Sequence, residues 1–509
     1  MDEESRVWKQ LKQPYSWILD ATVFLCLATI VLYTISKHEP WADEADTWLE
    51  VRDIPFLRLL FSELRYDGHM PLWHSIVWIP MHLFHMPYAY FVFIGGVCAI
   101  AGLAVLIFLA PFPRILRYLI AASFFFIYQY AVIARPYVLM PVLGFLAAHF
   151  YRRGLSRIIA FSVCVALLVL DSSYAAVIGL GFAAFYGLQL ALRWKEIAGT
   201  ERKRIFAAFA IIAASFVFVV IILFPKSDSS LIAEAAHATF AHQLFLVGEG
   251  LSGAFTEDLV LVPALFLILS AIWGYQRRSL VLLLFTVGGT ALEYGFLRGF
   301  GHHQGLITIG FVVFLWAAWP PAEQVHALSI NSKLLHQAFL AAALLIFAWQ
   351  CAWSYNAIRA DWAGPYSGAL DAARFLKSVH ADTLGCTGYG YWAVGVQPYF
   401  DHNIFLNYGG PHSPASYHFS LDFARRATHI TDWQAQNGPP FLVVSLEETP
   451  QQALPAIQLL RSLNYILIHS SDGTRFFKGS FGVNSLYLIF ERTDFAWAQQ
   501  ASSASGKPQ

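Results

Sequence analysis

The stretch that decides the fold is residues 17–48, WILDATVFLCLATIVLYTISKHEPWADEADTW. Its first half, Trp17 to Ile35, is an apolar run long enough to cross a bilayer, which takes roughly 20 residues. No small-residue cleavage site follows it, so it reads as a span and not as a removable leader. Directly after it stand three carboxylates in four positions, Asp43, Glu44 and Asp46, bracketed by Trp41 and Trp48. An acid that close to a membrane face is partly desolvated, which raises its pKa and makes it a better base. A purely structural role competes, because the same acids suit the positive end of a helix dipole.

Composition extends the membrane reading to the whole chain. Of 509 residues 57% are hydrophobic and only 13% charged, about half the charge that a soluble domain of this size uses to coat its surface. Aromatics reach 16%, with 43 Phe, as expected of lipid-facing helices with Trp and Tyr at the interfaces. The formal net charge is zero, so no electrostatic case for nucleic acid exists. Of five cysteines, Cys26, Cys98, Cys164 and Cys351 lie in or beside apolar runs and read as small hydrophobes. Only Cys386 falls in a polar region, which argues against a disulfide framework.

About eleven spans are expected, near residues 17–36, 88–110, 118–134, 137–151, 157–170, 174–193, 205–224, 259–275, 279–297, 305–319 and 334–353. The segment 70–85, MPLWHSIVWIPMHLFH, is apolar but short, and reads as a juxtamembrane or re-entrant helix. Basic residues set the orientation. With Arg6, Lys9 and Lys12 in the cytoplasm, the inward loops carry Arg114, Arg117, Arg152, Arg153, Arg157, Arg193, Lys195, Arg202, Lys203, Arg204, Arg277 and Arg278. Counting 70–85 as a span would put those clusters outside. The expected fold is therefore a mainly α, polytopic transmembrane bundle over 1–353, with the first outer loop at 37–87, followed by an extracytoplasmic α/β domain over 354–500 and a disordered tail at 501–509. The α/β reading rests on strand-like runs at Phe441–Leu446, Tyr465–His469 and Ser485–Phe490, with helix-like runs at Ala369–Val379 and Leu454–Leu463 between turns. The expected location is the cytoplasmic (inner) membrane, with the N-terminus inside.

Five polar clusters then fall on the outward side. The first is the Asp43-Glu44-Ala45-Asp46 acid group. The second, Arg65-Tyr66-Asp67-Gly68-His69 through His74, mixes a cation, a carboxylate, imidazoles and aromatics that could stack on sugar rings and hold phosphate; an interfacial anchor is the rival reading. The third is Arg135-Pro136-Tyr137, where Arg135 could bind an anion or merely snorkel. The fourth opens on Asp171, an ionisable group near membrane depth, or else a cap for the next helix. The fifth, Arg298-Gly299-Phe300-Gly301-His302-His303, would cradle an anionic group on a glycine-rich turn; a polar turn capping two spans is the rival. Adjacent histidines lack helical metal-site spacing, which ranks phosphate above metal here. Lys226 is a further cation in an outward loop.

Carboxylates, cations and aromatics on one face of a membrane suit one chemistry well. A sugar carried on a polyprenyl phosphate has a ready leaving group, so one carboxylate to deprotonate the acceptor hydroxyl suffices. Cations must then offset charge growing on the departing phosphate. This inventory differs from the carboxylate pair of a glycoside hydrolase.

Trp41-Ala-Asp-Glu-Ala-Asp-Thr-Trp48 after the first span resembles the Asp-Glu motif in the first outer loop of GT-C glycosyltransferases, which include the protein O-mannosyltransferases and the lipid A aminoarabinose transferase. Gly68-His-Met-Pro-Leu-Trp-His74 is similar to their juxtamembrane helix start, and Ala134-Arg-Pro-Tyr137 to the outer end of their third span. The resemblance covers about residues 17–320. It implies that Asp43 is the base, with Glu44 as its neighbour. The clusters themselves nominate Arg135, Arg298, His302 and His303 to hold the donor phosphate, and Arg65, Tyr66, Asp67, His69, His74, Tyr137 and Asp171 to line the substrate site. The partners implied are a polyprenyl-phosphate sugar donor, a lipid, glycan or protein acceptor, and the bilayer. No cofactor is indicated, and a divalent metal stays open because only Asp171 answers to the second-loop acid of some members. An envelope polysaccharide polymerase or ligase would rely on arginines in a large outer loop, without an acid pair after the first span. A lipid-linked-sugar transporter or flippase would place charge at the midplane on broken or repeated helices.

Overall fold

The apolar runs become helices because nothing inside them competes for the backbone, and their ends coincide with Pro, Gly and charged residues. The computed structural model describes residues 16–224, 226–230, 239–257, 259–297, 299–428, 438–447, 453–478 and 481–495. By packing, the chain divides into two compact units. The helical unit comprises Met1–Ser36, Phe93–Ile221 and Ala238–Ile358; the α/β unit comprises Lys37–Val92, Ile222–His237 and Arg359–Gln509.

In the helical unit the chain is mainly α, as expected, and it is that of an integral membrane protein. Among the described residues, five helices are long and apolar enough to cross a bilayer: Trp17–Ile35, Tyr88–Leu109, Ser173–Leu192, Gly199–Ile222 and Ile330–Ala363. Their outward faces carry side chains that water would not tolerate in such number, such as Leu25, Leu192, Phe206 and Val217, all more than half exposed. The other runs expected to span are largely helical but shorter or broken. Leu139–Arg152 has 14 residues, Ile158–Val169 has 12, and Gln304–Ala318 has 15. The run at 118–134 departs furthest from expectation. Arg114–Ala122 is helical, Ser123 is extended, a π-turn covers Phe125–Gln129, and irregular chain leads to Arg135. Every residue from 123 to 140 is buried in protein, the condition under which irregular backbone is tolerated at membrane depth. A second π-turn, Leu284–Gly288, rephases the run that ends in Gly289–Phe296. There Gly310 permits a close crossing, since a Cβ on it would stand 2.3 Å from the Thr286 carbonyl oxygen.

The α/β unit holds a four-stranded sheet of order β1-β2-β6-β3, built from β1 (Cys386–Tyr389), β2 (Phe441–Leu446), β3 (Tyr465–Ser471) and β6 (Leu486–Arg492). Strands β1 and β2 are parallel, and β2/β6 and β3/β6 antiparallel. A separate antiparallel pair, β4 (Thr474–Phe477) and β5 (Phe481–Asn484), completes the strands. Successive strand residues point to opposite faces, so β2 serves two cores. Phe441 and Val443 pack with Ala369, Ala372 and Leu376 of the helix Ala369–Ser378; Leu442 and Val444 pack with Leu460 of the helix Leu454–Ser462. Cys386 is fully buried in the first core despite its polar sequence surroundings, and all five cysteines are free.

The first-loop helix, Ala42–Asp53, joins that same core through Ala42 and Leu49. Seven residues apart, they lie on one face. Beside them Trp41 stacks on Trp392 at 5.4 Å, and the Arg475 guanidinium lies 4.6 Å and 5.1 Å from the two rings. The segment at 70–85 is the single helix Pro71–Phe84, of 14 residues.

Candidate functional site

The residues singled out by sequence fall into two groups, one in each unit. In the α/β unit the helix Ala42–Asp53 sets the acids. From residue 41 to 51 every residue is buried except Asp43. All five acids of this helix have partners. Glu44 accepts the N–H of Trp41 at 3.2 Å, closing the helix N-terminus in the manner of a capping box. It also meets His38 Nε2 at 3.2 Å, and the other ring nitrogen of His38 meets Asp361 at 3.0 Å. Asp46 accepts the backbone N–H of Tyr417 at 2.7 Å. Glu50 meets His74 Nε2 at 3.0 Å, and Asp53 accepts the N–H of Ala415 at 2.8 Å. Asp43 is left half-buried, and the Tyr391 hydroxyl donates to its Oδ1 at 2.9 Å.

The His38 set is wholly buried. Burial alone would lower the His38 pKa, but the carboxylates of Asp361 and Glu44 outweigh it and push it up to about 10. Nearby Glu39 is pushed up to about 7 by burial, although Leu370 N–H donates to it at 2.7 Å.

The second cluster is drawn into the same unit with varied outcomes. Arg65 donates to the Phe224 carbonyl at 2.7 Å. Tyr66 donates to Asp228 at 3.3 Å and packs on His418 at 4.3 Å. His74 is fully buried against Glu50, and His69 lies 5.8 Å from it, ring to ring. The side chain of Asp67 lies outside the described residues.

In the helical unit, the segment before Leu139–Arg152 and the turn before Gln304–Ala318 bring four predicted residues together, Arg135, Tyr137, His302 and His303. Arg135 Nη1 donates to His302 Nε2 at 3.4 Å and its guanidinium lies 5.5 Å from the Tyr137 ring. His303 Nδ1 accepts the Phe300 N–H at 3.2 Å, so the neutral ring carries its proton on Nε2, which meets the Tyr137 oxygen at 2.9 Å. The two imidazoles are 4.2 Å apart, and Tyr174 flanks His303 at 5.1 Å. Arg298 lies outside the described residues. Asp171 is fully buried, with neither carboxylate oxygen hydrogen-bonded among the described residues. The cap of the following helix is its neighbour Ser172, whose hydroxyl accepts the Ala175 N–H at 3.1 Å.

Among the described residues no three His, Cys, Asp or Glu side chains gather closely enough to hold a metal ion. No family model matches this chain and no curated protein matches it by sequence. The apo crystal structure of ArnT from Cupriavidus metallidurans matches with a TM-score of 0.50 at 11% identity, covering 97% of this chain and 100% of that one. The fold is ArnT-like. ArnT from the same organism bound to undecaprenyl phosphate gives a TM-score of 0.46 at 11% identity, over 93% and 98% of the two chains. At that identity the likeness is one of fold alone.

Within the ArnT-like fold, three residues were passed over in the sequence. Glu293 is buried in Gly289–Phe296, and neither of its carboxylate oxygens has a hydrogen bond among the described residues. An acid inside an apolar run was the signal that could have found it. Tyr391 carried no local signal, since Asp43 is 348 residues away, and His38 is only half explained by nearby Glu44, its second partner Asp361 being 323 residues away.

Proposed function

We propose that the protein transfers a sugar from a polyprenyl-phosphate donor to a lipid, glycan or protein acceptor at the outer face of the cytoplasmic membrane. Asp43 takes the proton of the acceptor hydroxyl. The acceptor oxygen then bonds to the anomeric carbon, the bond from that carbon to the phosphate oxygen breaks, and the electron pair leaves on the polyprenyl phosphate. A single displacement of this kind inverts the anomeric centre. Arg135, Arg298, His302 and His303 are the groups proposed to hold the phosphate and offset its growing charge. Arg65, Tyr66, Asp67, His69, Tyr137 and Asp171 are proposed for substrate contact. Glu44 and His74 support the site by fixing the helix that bears the base. The reading requires about eleven crossings and an inside N-terminus.

One observation carries the proposal: from residue 41 to 51 only Asp43 is not buried, and the Tyr391 hydroxyl donates to it. The ArnT-like fold supports the same class of reaction, ArnT having been solved with undecaprenyl phosphate bound. The test is thin-layer analysis of labelled polyprenyl-phosphate sugars incubated with purified protein and candidate acceptors. Donor consumption and a labelled product are expected. A protein that turns over no such donor, or an Asp43→Asn variant with full turnover, would refute the assignment.

A further inference from the structure

Three helices of the helical unit, Leu139–Arg152, Ser173–Leu192 and Gln304–Ala318, begin near the Arg135, Asp171 and His303 group. Their other ends surround a cavity of about 1000 Å³, at the upper end of the size range for small-molecule sites. At 1.5 Å per residue the helices set the two places roughly 20–30 Å apart.

The cavity is lined by Tyr151, Tyr186, Arg193, Arg277, Arg278 and Trp319, among others. Its charges are not equivalent. Arg193 is answered by Glu196 at 3.0 Å, and Glu201 by Arg204 at 3.9 Å. Arg152 is occupied by the carbonyls of Trp316 and Trp319. Arg277 and Arg278 are adjacent, and among the described residues neither has a carboxylate at ion-pair distance. Arg278 also sits at φ 55°, a left-handed backbone that a side chain this large rarely adopts. Strain of that kind persists where the surroundings impose it, and it recurs at ligand clamps. Independently, Tyr186 is 5% exposed, and its buried hydroxyl has no hydrogen-bond partner among the described residues.

We propose that this cavity binds a phosphate-bearing anion, with Arg277 and Arg278 as the charged fork and Tyr186 as a neutral donor. Two neighbouring guanidiniums without acids repel one another, and an anion between them removes that cost. The planar fork of arginine matches phosphate oxygens in pairs. The walls are aromatic and aliphatic beside the arginines, which suits the headgroup of an anionic lipid. A free phosphate compound shares the chemistry. The site stands apart from the transfer reaction and does not depend on it.

Full-length protein in an uncharged detergent is titrated with dioleoylphosphatidylglycerol, with dioleoylphosphatidylcholine, and separately with inorganic phosphate. Bound lipid is counted by native mass spectrometry and phosphate binding is followed by calorimetry. Arg277→Gln/Arg278→Gln is expected to weaken binding at least tenfold, and Tyr186→Phe about threefold. Arg153→Gln/Arg157→Gln, from a neighbouring basic loop outside the lining, should bind as wild type. Selective loss of phosphatidylglycerol binding identifies a lipid headgroup as the source; selective loss of inorganic phosphate binding identifies a soluble phosphate compound. Absence of binding by both probes, equal binding of phosphatidylcholine, or equal losses in the two double variants would overturn the proposal. Should the first double variant fail to fold, Arg278→Gln alone, at an exposed position, and Tyr186→Phe decide it by the same criteria.

Discussion

The acids of the first-loop helix and the acid at Asp171 are buried by different means. In Ala42–Asp53 each buried carboxylate meets a backbone N–H or an imidazole from elsewhere in its unit: Glu44 with His38, Asp46 with Tyr417, Glu50 with His74. Asp171 is as deeply buried, yet neither of its oxygens has a hydrogen bond among the described residues. A paired buried acid can stay charged and lock a structure, whereas an unpaired one gives up its charge instead. The contrast teaches that acid content alone says little in this chain; what sets Asp43 apart is that it alone of residues 41–51 is not buried.

The largest effect is expected at the exception within the first group. Asp43→Asn should lower sugar transfer at least ~100-fold, as loss of a general base does, while expression and thermal melting in detergent stay as in wild type. A variant that melts much earlier would place Asp43 with its structural neighbours. His38→Leu attacks the paired acids. It strands Glu44 and Asp361 without their shared cation and should cost about 3–5 kcal/mol of stability. Because the folded His38 pKa is raised from 6.5 to about 10, its contribution is full below about pH 6.5 and is lost as pH climbs through about 10. Wild-type melting temperature should decline across that window more steeply than that of the variant.

Tyr391→Phe removes the hydroxyl that donates to Asp43. Transfer should fall about tenfold, roughly 1.4 kcal/mol. The acid limb of the kcat/KM profile should move to higher pH, because a carboxylate that loses a donor binds its proton more tightly. An unchanged limb would separate Tyr391 from the base. The smallest effect is expected at Asp171→Asn. Exchange of a neutral acid for an amide of equal shape should alter stability by less than about 1 kcal/mol. A loss above about 3 kcal/mol would mean that Asp171 is held as an anion and belongs with the paired group.

Much of this was legible in the sequence because hydrophobic length and acid spacing are local signals. The runs at 17–36, 88–110 and 174–193 are helices nearly to the residue, and Phe441–Leu446 is a strand as expected. The break at Ser123 was not legible, since nothing local separates a buried irregular segment from a span of the same composition. Strand β1 escaped because Gly388 and Gly390 make Cys386–Tyr389 look like a turn; only pairing with β2 defines it. In the candidate site, the resemblance nominated Asp43 among three acids of like appearance, and the partners of its neighbours were not legible. His38 and Asp361 are 323 positions apart, and no window of sequence contains both.

The first-loop helix shares its core with strands made far later. Tyr391, which holds Asp43, follows it by 348 residues. At about 5–20 residues per second of synthesis, the acids wait on the order of 20–70 s for the groups that will shelter them. During that interval the nascent loop is a stretch of exposed carboxylates tethered between its flanking apolar helices, so Asp43 reaches its folded setting only after the segment that bears Tyr391 has been made.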